Sequence, residues 1–266
     1  MRFSSLIVLL AASGCATFQR QDFEKVVART LITDSQETQL GLQVHQELVD
    51  ENVKFSDNLK VRLYVENLAK KLIVSANKER KLDWKFFVID DPETINAFAT
   101  PGGRIYVYTG LLLAAENEAQ VVGVLGHEIG HVVGRHSARQ LVAAKGMETV
   151  GAMVSGAAKS EIVDLVHGLT GQGTMLAYGR DMELESDRYG ARYSSAAGYD
   201  PRGIAGFFKI LQDKYGDTPK LMTYLSTHPA NSDRIQKVNE LVKTENLRGS
   251  NLAPESLAAI KAELNK

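Results

Sequence analysis

Residues 117–136 read NEAQVVGVLGHEIGHVVGRH, and no other run limits the fold as strongly. Ala119, Val121, Val122, Val124, Leu125, Ile129, Val132 and Val133 make a helix here apolar nearly all round, so it must be buried. The same helix carries His127, Glu128 and His131, and buried polar side chains must be paired or bound. Whatever encloses this helix therefore has to supply partners for three polar groups at its middle. Gly123, Gly126, Gly130 and Gly134 form a stripe beside the histidine face, each costing roughly 1 kcal/mol against Ala. A stripe without side chains admits another backbone closely, either a packed helix or an extended substrate chain.

At about 100° per residue, His127 and His131 lie one turn and about 40° apart, so both imidazoles can reach one ion. Glu128 sits on the adjacent flank, where it can touch a water on that ion without being a ligand. Zinc, one per chain, suits such a site. It takes imidazole nitrogen and carboxylate oxygen, and catalytic sites pair three protein ligands with a water. The third ligand must come from elsewhere. On a continuing helix His136 points about 160° away from the other two, so it reads as a surface residue or one supporting a ligand from behind. In RDMELESDRYG, residues 180–190, Glu183 and Asp187 share a helix face, while Glu185 points about 200° from Glu183. Glu183 can ligate the ion, and Asp187 can bond a ligating histidine and fix its tautomer. The same spacing also fits a solvated charged face with Arg180 and Arg188.

Elsewhere the pattern is mostly helical. A helix is expected over about 34–52, with cap residues in TDSQE and Leu40, Val44, Leu48 and Val49 facing inward. A second, over 57–77, has Leu59, Leu63, Val65, Leu68, Leu72 and Ile73 as its inner face. Aromatic and β-branched residues then predict short strands near 84–89, 95–99 and 104–108. Helix resumes over 111–140 and again over 175–196, 201–215, 218–226, 229–244 and 253–265, with GYDP and THPA as breaks. Residues 146–174, rich in Gly, Ala, Ser and Met, have few large anchors and are the expected mobile segment, a candidate lid. The fold class is α+β and predominantly helical, with a small sheet next to the motif helix, in one domain over 36–266.

The N-terminus reads as a leader. MRFSSLIVLLAASGC places Arg2 before an apolar run from Leu6 to Ala12, too short to span a bilayer but suited to a secretory signal over 1–15. ASGC resembles a bacterial lipobox, which makes Cys15 the lipid-modified N-terminus and 16–35 a tether. An ordinary cleaved signal is the alternative. By the same resemblance Ala16 favours outer-membrane sorting from the periplasm. Cys15 is the chain's only cysteine, so the mature chain has no internal disulfide. The formal net charge of −1 gives no general affinity for nucleic acid.

HEIGH, then ELESD, then THPANSDR, together with ETQLGLQV and INAFATPGGRIYVYTGLL, resemble the zinc metallopeptidase family of the CAAX prenyl protease, HtpX, BepA and LoiP. The likeness covers most of residues 36–240, and its periplasmic lipoprotein members of the LoiP type are the nearest. It implies a zincin-like, gluzincin fold. It also implies His127, His131 and Glu183 as zinc ligands, Glu128 as general base and Asp187 behind a ligand. His228 precedes Pro229 and can reach the metal or the transition state, or else cap a helix. In relatives of this kind its counterpart holds the zinc in a resting form. Arg234 can clamp an oxyanion, pair with a carboxylate or lie on the surface. The reaction implied is peptide hydrolysis, with His228 or Arg234 at the developing charge. Family likeness further implies that the strand over Arg104, Ile105 and Tyr106 is an exposed edge for an extended polypeptide, in a groove shaped by Asn96, Ala97 and Phe98. Unfolded or misfolded envelope proteins are the expected substrates, with other envelope proteins as partners. The rival reading is an envelope chaperone or assembly scaffold with its zinc site held inactive.

Overall fold

The computed structural model describes residues 32–170, 177–215 and 232–266, with Tyr224, Ser226, His228 and Pro229 between the last two stretches. The leader, Cys15, most of the expected tether and most of the helix expected over 218–226 lie outside the described residues.

Helix α1 (Asp34–Asp50) opens on a capping box. Thr33 accepts from the Gln36 amide, and the Gln36 side chain accepts from the Thr33 amide. Helix α2 (Leu59–Glu79) is capped by Asn58, which accepts from the amides of Lys60 and Val61. Its buried face is Val61, Val65, Leu68, Ala69, Leu72 and Ala76, whereas Leu59 and Leu63 are exposed, as is Val49 on α1. The periodicity was right and the face was rotated. Ala69 and Ala76 lie inside because a close helix contact wants small side chains, and the larger leucines of the first turn lie beyond it.

Strands β1 (Lys85–Ile89), β2 (Ala97–Thr100) and β3 (Arg104–Tyr108) form one sheet in the order β1-β3-β2, with β3 parallel to β1 and antiparallel to β2. Side chains alternate across it. Val88, Ala97, Ala99, Ile105 and Val107 face a core shared with α2 and the motif helix. Ile89, Phe98, Tyr106 and Tyr108 face a second core shared with α1. Both faces are covered, so every residue of β2 and β3 is buried.

After the short helix α3 (Thr109–Ala114), the motif helix α4 (Glu118–Val133) starts at Asn117, whose side chain accepts from the Gln120 amide. The continuous helix expected to residue 140 is broken. Gly134 ends α4, Arg135 turns left-handed at φ 57°, and α5 (His136–Ser155) sets off in a new direction. Arg135 is held there by hydrogen bonds to Glu37 (2.5 Å) and the Ile32 carbonyl (2.6 Å). Arg80 donates to Glu37 at 2.9 Å and to the Val132 carbonyl at 2.6 Å, a second donor beside the Arg135 amide at 3.1 Å.

Helix α5 bends at Gly146, and α6 (Lys159–Thr170) follows. The described part of the Gly- and Ala-rich stretch is thus helical, with Val150, Met153, Val154, Ile162, Val166 and Leu169 in the core with α1. Then come α7 (Arg180–Ala196), α8 (Gly203–Ile210) with a π turn (Leu211–Tyr215), α9 (Ser232–Thr244) and α10 (Pro254–Leu264). The glycine stripe settles one open question. A Cβ at Gly123 would meet Ile204 N at 2.3 Å, one at Gly126 would meet Gly190 Cα at 2.9 Å, and one at Gly130 would meet Ser186 Cα at 3.0 Å. The stripe is where α7 and α8 pack on α4, and it leaves no clearance for a substrate there.

Candidate metal centre

The close contact of α4 and α7 fixes the site. It puts His127 and His131, one turn apart on α4, opposite Glu183 in the first turn of α7. That helix start favours an ionised carboxylate. His228 comes down from the segment before α9. One ligand atom from each of these four side chains lies within 4.8 Å of the others. His131 Nε2 is 2.9 Å from His127 Nε2, and His228 Nδ1 is 3.2 Å from His127 Nε2. Glu183 Oε1 is 3.1 Å from His228 Nδ1 and 3.3 Å from His131 Nε2, and its Oε2 is 3.5 Å from His127 Nε2. Two ligands of a tetrahedral zinc at about 2.0–2.1 Å stand about 3.4 Å apart, so the cluster has the right dimensions.

The donor set also suits a cation on chemical grounds. Three imidazole nitrogens and a carboxylate converge in a place sealed from water, with His127, His131 and His228 fully buried and Glu183 1 % exposed. The buried Glu128 lies close to the Ala99 backbone and to His228 Nε2, 3.4 Å away, and both favour its charged form. Burial pushes the Glu128 carboxyl up to about 7, against the lowering pull of His228. Burial also lowers His131, and lowers His127 against its contact with Asp187, keeping the imidazoles neutral as ligands must be. Glu183 is held well below the usual carboxylate range because the charges of His228 and Arg234 outweigh its burial.

Behind the ligands the sequence expectations divide. Asp187 Oδ1 lies 2.9 Å from His127 Nδ1, the nitrogen turned away from the cluster. Arg234 does not face a reacting group. It donates to Asp187 from Nε at 2.8 Å and Nη2 at 2.7 Å, to the Pro229 carbonyl at 3.1 Å, and pairs with Glu183 at 2.5 Å. Of its three sequence readings, carboxylate pairing is the one this geometry has, and the oxyanion clamp is withdrawn. His136 is no surface residue. The left-handed turn at Arg135 swings it back beneath His131, fully buried.

The substrate-strand expectation needs correction. Arg104, Ile105 and Tyr106 lie in β3, the central strand, paired on both sides, so this strand offers no edge. The edge beside α4 is β2. The Asn96 carbonyl accepts from the Tyr108 amide, so by antiparallel alternation Asn96, Phe98 and Thr100 point their backbone groups at β3, and Ala97 and Ala99 turn theirs outward. The Asn96 side chain donates to the Leu169 carbonyl at 3.3 Å, and Phe98 stacks on Tyr106 within the core.

Sequence reasoning passed over Tyr178. Its ring stacks on His131 with centroids 4.0 Å apart, and its hydroxyl is 2.7 Å from Ser137 Oγ. Tyr178 also walls a cavity of about 410 Å³ reaching from Ala99 and Pro101 to Leu141, Leu165 and Leu169. A large aromatic just before α7 was the available signal. Among the described residues no helix is long and apolar enough to cross a membrane.

The sequence is similar to those of known proteins. The profile of Peptidase family M48 matches residues 59–242, which hold both histidines of α4, Glu183, His228 and Arg234. The mitochondrial metalloendopeptidase OMA1 of Schizosaccharomyces pombe is 28% identical over 240 residues, covering 87% of this chain and 69% of its own length. A putative beta-barrel assembly-enhancing protease of Vibrio cholerae is 33% identical over 252 residues, covering 89% and 51%. The beta-barrel assembly-enhancing protease of Escherichia coli is 29% identical over 219 residues, covering 78% and 44%. The chain thus spans between somewhat under half and about two thirds of these relatives. With a profile match over more than half its length and a matching cluster of ligands, the chain belongs to Peptidase family M48 and is a metallopeptidase.

Proposed function

We propose that the chain is a zinc-dependent endopeptidase that cleaves unfolded or misfolded proteins of the bacterial envelope. The observation that carries the reading is the convergence of His127, His131 and Glu183 beside a fully buried carboxyl, Glu128, that has no ligating role in the cluster. Zinc held by those three residues supplies Lewis-acid polarisation and lowers the pKa of a water toward about 7. Glu128 takes the proton of the attacking water and passes it to the leaving nitrogen, a task suited to a carboxyl raised to about 7. His228 is the one further imidazole in the cluster, and it either holds the fourth position at rest or faces the developing oxyanion once displaced.

An extended substrate would pair with the backbone groups of Ala97 and Ala99 on the side of β2 away from β3. Both residues are buried and the Ala99 carbonyl accepts from Ser137 Oγ at 3.4 Å, so this pairing requires the site to open. Such pairing reads backbone, which suits unfolded chains of varied sequence. The names of the bacterial relatives support an envelope setting, and a lipobox at Cys15 would tether the enzyme to the outer membrane from the periplasm. Envelope assembly proteins are the partners this setting offers.

One feature favours a second reading, a chaperone or scaffold with a shut site. The cluster is sealed from solvent, and His228 stands in it beside the other three side chains, where it would fill a fourth place on a bound ion. Glu128→Gln separates the two. Casein cleavage should fall by orders of magnitude in the variant while zinc stays bound. Equal cleavage by both proteins, or none by either, sinks the endopeptidase.

A further inference from the structure

His131 has two ring nitrogens with different duties. Nε2 faces the cluster, 2.9 Å from His127 Nε2 and 3.3 Å from Glu183 Oε1, so as a ligand it carries no proton. The proton then sits on Nδ1, and Nδ1 lies 2.9 Å from His136 Nδ1. To accept it, His136 must carry its own proton on Nε2, and that atom is 3.2 Å from Glu185 Oε2. Ser186 Oγ lies 3.2 Å from the same His136 Nδ1, whose single lone pair is taken at the shorter contact by His131. One arrangement of protons satisfies the contacts from His131 through His136, and it runs in one direction: metal ligand to His136 to Glu185.

From this we infer that His136 and Glu185 are positioning residues for the metal, fixing the ring and tautomer of His131 from behind. The geometry parallels the other imidazole, where His127 Nδ1 meets Asp187 and Asp187 is held by Arg234. Each ligating ring thus has an acceptor behind it, and each acceptor is backed by a charged side chain. A neutral imidazole is a weaker acceptor than a carboxylate, which gives Glu185 its purpose: it polarises His136 through Nε2. Arg139, 3.8 Å from Glu185, keeps that carboxylate turned inward. The left-handed turn at Arg135 is what makes the relay possible, since on an unbroken helix His136 would face away.

The inference rests on the zinc reading, so its test measures zinc affinity by competition with a chelator rather than peptidase activity. His136→Leu removes the acceptor and should weaken zinc on the order of 10- to 100-fold, the usual effect of losing such a partner. His136→Asn places a side-chain oxygen near the former Nδ1 and should recover most of that loss. Packing alone would not distinguish an acceptor in this way. Glu185→Gln, nearly isosteric, should weaken zinc several-fold, and it keeps the test decisive if His136→Leu does not fold. Visible spectra of the cobalt-substituted proteins should shift in His136→Leu and stay close to wild type in His136→Asn. Wild-type affinity in His136→Leu, equal losses in Leu and Asn, or an unchanged Glu185→Gln would overturn the relay. A wild-type chain that binds no zinc would overturn the proposed function along with it.

Discussion

Arg234 grips Asp187 with both ends of its fork, and the same carboxylate reaches back to His127. A charge on α9 is thereby tied to a ligand on α4 through α7. Arg234→Ala strands the carboxylates of Asp187 and Glu183 in a dry interior and should cost about 3–5 kcal/mol by urea unfolding. Arg234→Lys keeps the charge, loses the fork and should recover only part. The Arg192–Glu245 pair is much more exposed, so Arg192→Ala should stay within about 1 kcal/mol of wild type. Equal effects at 192 and 234 would contradict this account.

Acidity acts on the metal-free protein in a definite direction. Burial raises Glu128 to about 7. Burial works against the charge of His228, but the carboxylates of Glu128 and Glu183 outweigh it and hold that imidazole above its ordinary value. Both groups therefore bind protons better folded than unfolded. The Glu128 contribution is complete below about pH 4.5 and gone by about 7, and that of His228 is complete below about 6.5 and lost as pH rises through its folded value. Glu183 and Asp187 are held low, where the charge of His228 on Glu183 and of Arg234 on both outweighs burial, so they finish titrating beneath this window. The lowered His127, His131 and His136 work the other way below about pH 6.5. Metal-free stability should therefore fall from about pH 6.5 to 8, while zinc affinity rises over the same range as protons become easier to displace. Urea unfolding and chelator competition at four pH values measure both trends, and opposite slopes would refute the assignment.

Glycine substitutions should separate by contact. A Cβ at Gly190 would lie 3.0 Å from His127 N, so Gly190→Ala wedges α7 away from α4, and with it Glu183 from the histidines. Overpacking of that kind costs about 1–3 kcal/mol despite the better helix propensity of Ala. At Gly151, exposed on α5, a Cβ meets nothing within 4 Å, and Gly151→Ala should stabilise by roughly 0.5–1 kcal/mol. Calorimetry that finds both changes neutral would remove the glycine stripe from the argument.

Backbone pairing at β2 is testable with peptides. If Ala97 and Ala99 bind substrate by strand addition, N-methylation at alternate positions should remove a hydrogen bond worth about 1 kcal/mol and raise KM about fivefold. The intervening positions should tolerate it. A flat response along the peptide would rule out pairing at this edge.

Spacing left Glu183 equally suited to a solvated face, and only the family resemblance singled it out. His127, Glu128 and His131 were readable as a group because their geometry is local: spacing on a helix decides which side chains share a face. Capping at Thr33 and the three strands were readable for the same reason. Strand order was not, because nothing within RIYVY says which neighbour will lie on each side. His136 was left between the surface and a place behind a ligand for a sharper reason. The turn that redirects it falls on Arg135, which takes a left-handed conformation that its type disfavours, and the ion pair with Glu37 that holds it there spans 98 positions of sequence. Arg234 likewise had three readings until the fold supplied Asp187.

The sealing of the ligand cluster has a kinetic consequence. With the side chains of His127, His131, Glu183 and His228 at most 2 % exposed, a chelator could not seize a bound ion where it sits. Departure must wait for the surrounding helices to part, so the rate of stripping should reach a plateau as scavenger is added, and that plateau is the breathing frequency of the protein around its own ion.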